Sequence, residues 1–352
     1  MAIPELLAEL LNTPGPSGQE TAPAAVWRAW CQSFANEVDV DLHGSSWARV
    51  PGTADGPSLA IVGHIDEIGV HVTHIDDDGF LRFDQVGGWD PVQLVGQRLV
   101  LDTRGGVVRG VIGRKAIHQL EEGERKQPPE LKNMHIDIGA TSADEARELV
   151  RIGDMGVIDA APVELPNNRV VSRSLDNRVG AYVAARVAQL AAEDGGAPGD
   201  VLALAVVQEE IGLNGARTSA FRHKPDVAIA VDVAHANDTP GAAIGQETKH
   251  ALGSGPVLSR GSTLNPRVFE RLYDAAEQAG IPVTIESHGR STFTDADAIQ
   301  ISRAGVPTTL VSVPLRYMHS SVEMVCIDDI EATAQLIAAF ARNLTPGISF
   351  AR

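Results

Sequence analysis

Two glutamates stand side by side where an apolar run stops, in Val201-Leu-Ala-Leu-Ala-Val-Val-Gln-Glu209-Glu210, and Ile211-Gly212-Leu-Asn follows. Paired carboxylates leaving a buried strand are costly unless a cation or a substrate proton compensates them. Successive strand residues point to opposite faces, so Glu209 and Glu210 share one site only where the strand ends and the backbone turns. Gly212 permits that turn. Other apolar runs close in the same way: His64-x-Asp66 after Ile61-Val62, Asp232 after Ala228-Ile-Ala-Val231, and His319 in Tyr317-Met-His-Ser-Ser beyond Val311. Asp176 stands just before a long helical pattern. Two histidines with several carboxylates suit divalent first-row metals, and a shared aspartate would bridge two ions roughly 3.5–4 Å apart. Asp66 lies two residues along the extended segment from His64, on the same face, and is placed to hold its second ring nitrogen. One carboxylate must stay free to take a proton from the attacking water, and the doublet offers one ligand and one base.

The elements that must position these groups read as alternating strands and helices. Strands are expected at Ser58–Gly63, Val201–Gln208, Val227–Val231, Val283–Glu286 and Thr308–Val313, and helices at Ala181–Ala192, Asn214–Ala220, Pro266–Ala279, Asp295–Ala304 and Asp328–Asn343. Such alternation implies a largely parallel sheet with helices on both faces and ligands beyond the carboxyl ends of the strands. The start reads as a helix ending near Asn12, then a capping box, Ser17-Gly-Gln-Glu20, opening a second helix through Trp27 and Trp30. From about Gly69 to Leu165 the character changes to β-branched runs separated by Asp-Gly and Gly-Gly turns. Val70–Ile75 and Phe80–Phe83 read as a hairpin with an acidic tip, and the whole segment as an inserted small β-barrel.

The chain has 352 residues and a formal charge of −17, with a sequence pI near 5.0. That balance excludes nucleic acid and anionic membranes as partners. Cys31 and Cys326, far apart and outside any CxxC pair, point to a reducing compartment without a disulfide framework. The start has no basic segment followed by an apolar one, and no apolar run approaches about 18 residues, so a cytoplasmic protein is expected.

Six ordered blocks carry a resemblance: Gly63-His-Ile-Asp66-Glu-Ile-Gly69, Ser174-Leu-Asp176-Asn-Arg178-Val-Gly180, Gln208-Glu-Glu210-Ile-Gly212, Val231-Asp232, Thr294-Asp295-Ala296 and Arg316-Tyr-Met-His319-Ser-Ser-Val-Glu323. They are similar to the signature blocks of the tetrahedral (TET) aminopeptidases, a family that includes glutamyl and deblocking aminopeptidases and members labelled endoglucanase. The likeness also takes in Gly87-Gly88-Trp89 and Gly113-Arg-Lys-Ala-Ile-His118. It implies that His64 and Asp232 bind one ion, that Glu210 and His319 bind the other and that Asp176 bridges them. Glu209 is then the general base, and Asp66 orients His64. A cis peptide between Asp176 and Asn177 is also implied, as are dimer contacts through the insert and a hollow tetrahedral dodecamer built from dimers. Two positions depart from the pattern. Phe293 stands where a small residue is expected, which bears on the specificity pocket, and Asn177 follows the bridging aspartate where an acidic residue is familiar.

The expectation is thus an α/β protein: a split catalytic α/β/α sandwich on a mixed sheet, residues 1–67 and 166–352, with a β-rich dimerisation insert at 68–165. Its expected activity is removal of N-terminal residues from peptides with a free N-terminus, using two divalent ions, zinc or cobalt, with manganese a third option. A glycoside hydrolase using Glu209 with another carboxylate leaves His64, His319 and the bridging aspartate without a role, and a silent assembly protein leaves the whole donor set without one. His71, His74, His118, His135, His223, His235, His250 and His288 read as surface or packing residues. Lys249-His250 and Arg290 are the groups that would favour an acidic N-terminal side chain if they line the pocket.

Overall fold

A computed structural model of the chain describes residues 2–242 and 248–352. Helices α1 (Glu5–Asn12) and α2 (Thr21–Cys31) lead into β1 (Glu37–Val40), β2 (Ser46–Val50) and β3 (Leu59–His64). Next come β4 (Gly69–Ile75), β5 (Leu81–Val86), α3 (Pro91–Leu94), β6 (Arg98–Thr103), β7 (Gly106–Arg114), α4 (Glu122–Arg125), β8 (Met134–Asp137), α5 (Ala143–Leu149) and β9 (Met155–Ile158). The remainder runs through β10 (Val163–Leu165), β11 (Arg169–Ser172), α6 (Leu175–Glu193), β12 (Val201–Val206), α7 (Asn214–His223), β13 (Val227–His235) and β14 (Val257–Gly261). It ends with α8 (Pro266–Ala279), β15 (Thr284–His288), α9 (Asp295–Ile299), β16 (Thr308–Arg316), β17 (Glu323–Cys326) and α10 (Ile327–Arg342).

One large sheet has the order β1-β2-β12-β3-β13-β16-β17-β11-β10, with β14 on β16 and β15 on β14. Its centre, β12, β3, β13 and β16, is parallel, and antiparallel strands flank it, so the sheet is mixed. Strand alternation sorts the core into two layers. Leu59 and Ile61 of β3 pack with Leu10, Trp27, Val183 and Ile337, whereas Ala60 and Val62 pack with Ala216, Ala220 and Ile299. The result is the expected α/β/α sandwich. Two glycines let backbones meet inside it. A Cβ on Gly63 would stand 2.2 Å from the Gly180 carbonyl carbon, so β3 and α6 touch main chain to main chain.

The strands β4-β5-β8-β7-β6-β9 close into a barrel around Val70, Val72, Leu81, Leu99, Leu101 and Ile136. The hairpin forms as read, and the Asp76 carboxylate closes its tip by accepting from the Phe80 N–H at 2.8 Å. After the barrel, β10 already pairs with β11 of the large sheet. The capping box does not form, because tertiary partners claim both of its side chains. Ser17 donates to Asp66 and Glu20 accepts from the Gly18 and Gln208 N–H groups, leaving α2 without a side-chain cap. Among the described residues no helix is long and apolar enough to cross a membrane.

Candidate active site

β3 ends at His64 and its parallel neighbour β12 ends at Val206, so the two segments that follow emerge side by side. The turn that gathers the glutamate doublet begins one residue earlier than the sequence suggests. Gln208 takes a left-handed backbone, φ 57°, and Gly212 at φ 138° completes the reversal. Glu20 holds the Gln208 N–H at 3.1 Å. The Asp66 carboxylate accepts from the N–H of Glu209 at 3.1 Å and of Glu210 at 3.2 Å, besides the Ser17 hydroxyl at 2.5 Å. Asp66 thus fixes both glutamates through their backbone. The same carboxylate lies 3.3 Å from His64 Nδ1, which leaves Nε2 of His64 facing inward.

Asp176 sits at the irregular first turn of α6, buried, and its peptide bond to Asn177 is cis. Its two oxygens face two histidines: Oδ1 is 3.2 Å from His64 Nε2 and Oδ2 is 3.6 Å from His319 Nε2. His319 Nε2 is also 3.6 Å from Glu210 Oε1, and His64 Nε2 is 3.8 Å from Glu209 Oε2. The donor atoms of His64, Asp176 and Glu210 lie within 4.8 Å of one another, as do those of His64, Glu209 and Asp232. All seven residues named for chemistry therefore meet in one place: five donors, the doublet's second carboxylate and the aspartate behind His64.

Surrounding groups lock this arrangement, and although most of them stand inside the quoted blocks, their partners were not legible in the sequence. Glu323, buried, accepts from the His319 N–H at 2.9 Å with one oxygen and from the Asp176 N–H at 3.0 Å with the other. The His319 ring donates through Nδ1 to the Gly88 carbonyl at 2.8 Å, from the loop after β5 in the barrel. Asn177 braces the first turn of α6, donating to the Val231 carbonyl at 2.8 Å and accepting from the Gly180 N–H at 2.9 Å. Beside Asp66, Glu67 binds Arg173, the fully buried Arg178 and the Gly15 N–H. Glu323 lies inside a motif block, but nothing in the block's spacing reveals two backbone partners 147 and four residues away.

The electrostatics of the cluster call for cations. Burial, together with Asp295, Asp232 and Glu210, pushes Glu209 up to about 10. Burial and Asp176 push Glu210 up to about 8, and burial and Asp176 hold Asp232 well above the usual carboxylate range. Asp176 is drawn down despite its burial by hydrogen bonds from His319 and His64, and its bond to His319, with the Glu210 charge, raises that imidazole to about 9. Burial opposes charge on His64, yet Glu209, Asp176 and Asp66 outweigh it and raise the imidazole well above its ordinary value. Asp295 is buried with neither oxygen hydrogen-bonded and is pushed up to about 7 by burial. An excess of buried carboxylate, with two imidazoles presenting Nε2, is a donor set that divalent ions of borderline softness fit.

The cluster floors a cavity of about 640 Å³. Its outer wall includes His235, Glu286, His288, Phe293 and Asp297, and no lysine or arginine among the described residues. His235 and His288, read as packing residues, therefore face the site. His250 instead is buried against the Thr284 hydroxyl at 2.7 Å, while Lys249 and Arg290 are exposed and off the wall.

Residues 44–336 match the M42 glutamyl aminopeptidase family. The chain is 34% identical over 347 residues to the lysyl aminopeptidase of Pyrococcus furiosus (strain ATCC 43587 / DSM 3638 / JCM 8422 / Vc1), covering 97% of each chain. Among solved structures, the TET aminopeptidase from the marine sediment archaeon Thaumarchaeota archaeon SCGC AB-539-E09 superposes with a TM-score of 0.92 at 35% identity, covering 97% of both. The Pyrococcus horikoshii TET1 peptidase, described as able to assemble into a tetrahedron or a large octahedral shell, matches with a TM-score of 0.83 at 32% identity, covering 96% of this chain and 98% of that one.

Proposed function

This chain belongs to the M42 glutamyl aminopeptidase family, and from that premise we propose that it is a metal-dependent aminopeptidase working through a dinuclear centre. The observation that carries the reading is the placement of Asp176, whose two oxygens face two different histidines. In this reading His64 and Asp232 hold one ion, Glu210 and His319 hold the other, and Asp176 serves both. Zinc or cobalt suits the nitrogen and oxygen donors, with manganese as a third option. When bound, such ions polarise a scissile carbonyl, acidify water and lower the proton affinity of the carboxylates around them.

The chain's own residues supply the rest. Glu209, whose backbone Asp66 fixes, takes the proton of the attacking water and delivers it to the leaving amine. Asp66 also holds His64 in register, and Glu323 and the Gly88 carbonyl do the same for His319.

Residues 1–67 and 166–352 form the catalytic unit in this reading, with 68–165 as the inserted dimerisation unit. Val92, Val107, Val111 and Ile117 of that insert are exposed apolar side chains, which supports association there. A dodecamer built from dimers is the assembly we propose, in line with the description of the Pyrococcus horikoshii relative. The unpaired Cys31 and Cys326 support a cytoplasmic location.

The test is hydrolysis of aminoacyl-p-nitroanilides by chelator-stripped protein, with and without added zinc, cobalt or manganese. Metal-restored turnover of free-amine substrates, absent on N-acetylated ones, is expected, and Glu209→Gln should keep its ions and lose about 10²–10⁴-fold in turnover. Activity that survives stripping of the ions would rule the proposal out.

A further inference from the structure

The cavity has two ends with different charge. At its floor, two dications would neutralise four carboxylates, those of Asp176, Glu209, Glu210 and Asp232. The outer wall keeps two more, Glu286 and Asp297, and no lysine or arginine lines it among the described residues. Asp297 is occupied, because its oxygens accept from the Thr292 and Phe293 N–H groups at 2.8–3.0 Å. Glu286, on β15, lies 3.3 Å from the His288 ring, whose Nε2 is shared with the Ser259 hydroxyl, and the His250 and His235 imidazoles also favour its charged form. About a third of the Glu286 side chain is exposed. Its charge is therefore present and reachable from the cavity.

Phe293 completes this wall. It is 86% exposed, with a left-handed backbone at φ 58° that the Asp297 carboxylate pins through its N–H. An aromatic ring held in solvent at the cavity edge offers a flat face to a long aliphatic stem and a π-face to its cation.

We propose that this cavity selects peptides with a basic N-terminal residue, lysine or arginine, whose stem lies along Phe293 and whose cation is received by Glu286. The selection rests on the aminopeptidase reading above and goes against an acidic N-terminal side chain, which would meet Glu286 and Asp297 with like charge. Lys249 and Arg290 are exposed and do not line the cavity, so they do not invert it.

The experiment compares kcat/KM for lysyl, arginyl, norleucyl and glutamyl p-nitroanilides on the metal-loaded protein near pH 8. Norleucine carries the four side-chain carbons of lysine and lacks only the ammonium. Lysine and arginine should exceed norleucine by about 10–100-fold, the worth of one hydrogen bond to a charged group, and glutamate should be poorest. Glu286→Gln should remove most of the lysine advantage, chiefly through KM, and leave norleucine within about threefold. Lysine amide should also inhibit norleucyl hydrolysis more strongly than norleucine amide does, a readout that needs no variant. Activity with a preference for glutamate or norleucine, or an equal loss on all substrates in Glu286→Gln, would overturn the selection alone. Silence on every substrate with every ion would overturn the aminopeptidase reading and the selection with it.

Discussion

Replacing Gly63 by alanine tests whether the contact between β3 and α6 sets the site's geometry. The added methyl stands 2.2 Å from the Gly180 carbonyl carbon and 2.5 Å from the Ala181 nitrogen, whereas nonbonded carbons rest about 3.5–4.0 Å apart. The strand and the helix must then separate by more than an ångström, because both clashing partners are backbone and neither can swing away. His64 is the next residue on β3 and Asp176 opens α6, and they meet at 3.2 Å. The variant should lose about 3 kcal/mol, the upper end for overpacking, or roughly 4 °C in melting temperature for a chain of this size. Turnover should fall by about 10²-fold, the cost of a misplacement near 1 Å in a catalytic array. Differential scanning calorimetry and steady-state kinetics measure the two effects. Gly123→Ala, whose methyl meets nothing within 4 Å, is the control. A Gly63→Ala protein with the melting temperature and turnover of the parent would refute the reasoning.

Three further outcomes follow from the same geometry. Glu323→Gln keeps the size of the clamp on the Asp176 and His319 N–H groups but turns one acceptor into a donor, so metal affinity by calorimetry should fall about 10–100-fold, with turnover recovered in excess metal. An unchanged binding isotherm would remove Glu323 from this role. Arg178→Met breaks a fully buried ion pair with Glu67 and the bond to the Leu10 carbonyl, and urea unfolding should register a loss of about 3–5 kcal/mol, which an unshifted midpoint would contradict. Asp329 is pushed up to about 6 by burial even though the Gly253 and Gly255 N–H groups favour its ionised form, while the unfolded aspartate titrates near about 4. The native state thus binds more protons between those values, its stability falls as pH rises from about 4 to about 6, and Asp329→Asn should flatten that slope in denaturation curves taken across the window.

Much of this molecule is written locally. Helix α8 is announced by Asn265, whose side chain caps two N–H groups, by Pro266 in the first turn and by Gly280 at the end, φ 65°. The parallel strands are built on apolar runs, and the polar residues that close those runs mark the candidate site. Strands β13 and β16 run on past the expected ends to His235 and Arg316, because pairing between them extends through Pro314, which no local rule anticipates. The capping box failed for the opposite reason, since Ser17 and Glu20 serve residues far along the chain. What positions the donors, the Glu323 clamp and the Gly88 carbonyl, depends on contacts spanning up to 231 residues. Spacing along a sequence carries no trace of such meetings. The cavity wall was hidden likewise, because Glu286 and His288 face the site only once β15 adds to β14 at the sheet's edge.

The hydrogen bond from His319 to Gly88 ties the barrel to the cavity floor. Gly87, its neighbour, lies so close to Glu210 that a methyl there would approach that side chain at 3.3 Å. The barrel is consequently no detachable handle: trimming it would free the His319 ring and uncover the side of Glu210. Force or strain applied to the barrel's outer surface has a short mechanical route to the reacting centre, from β5 through one loop to one imidazole.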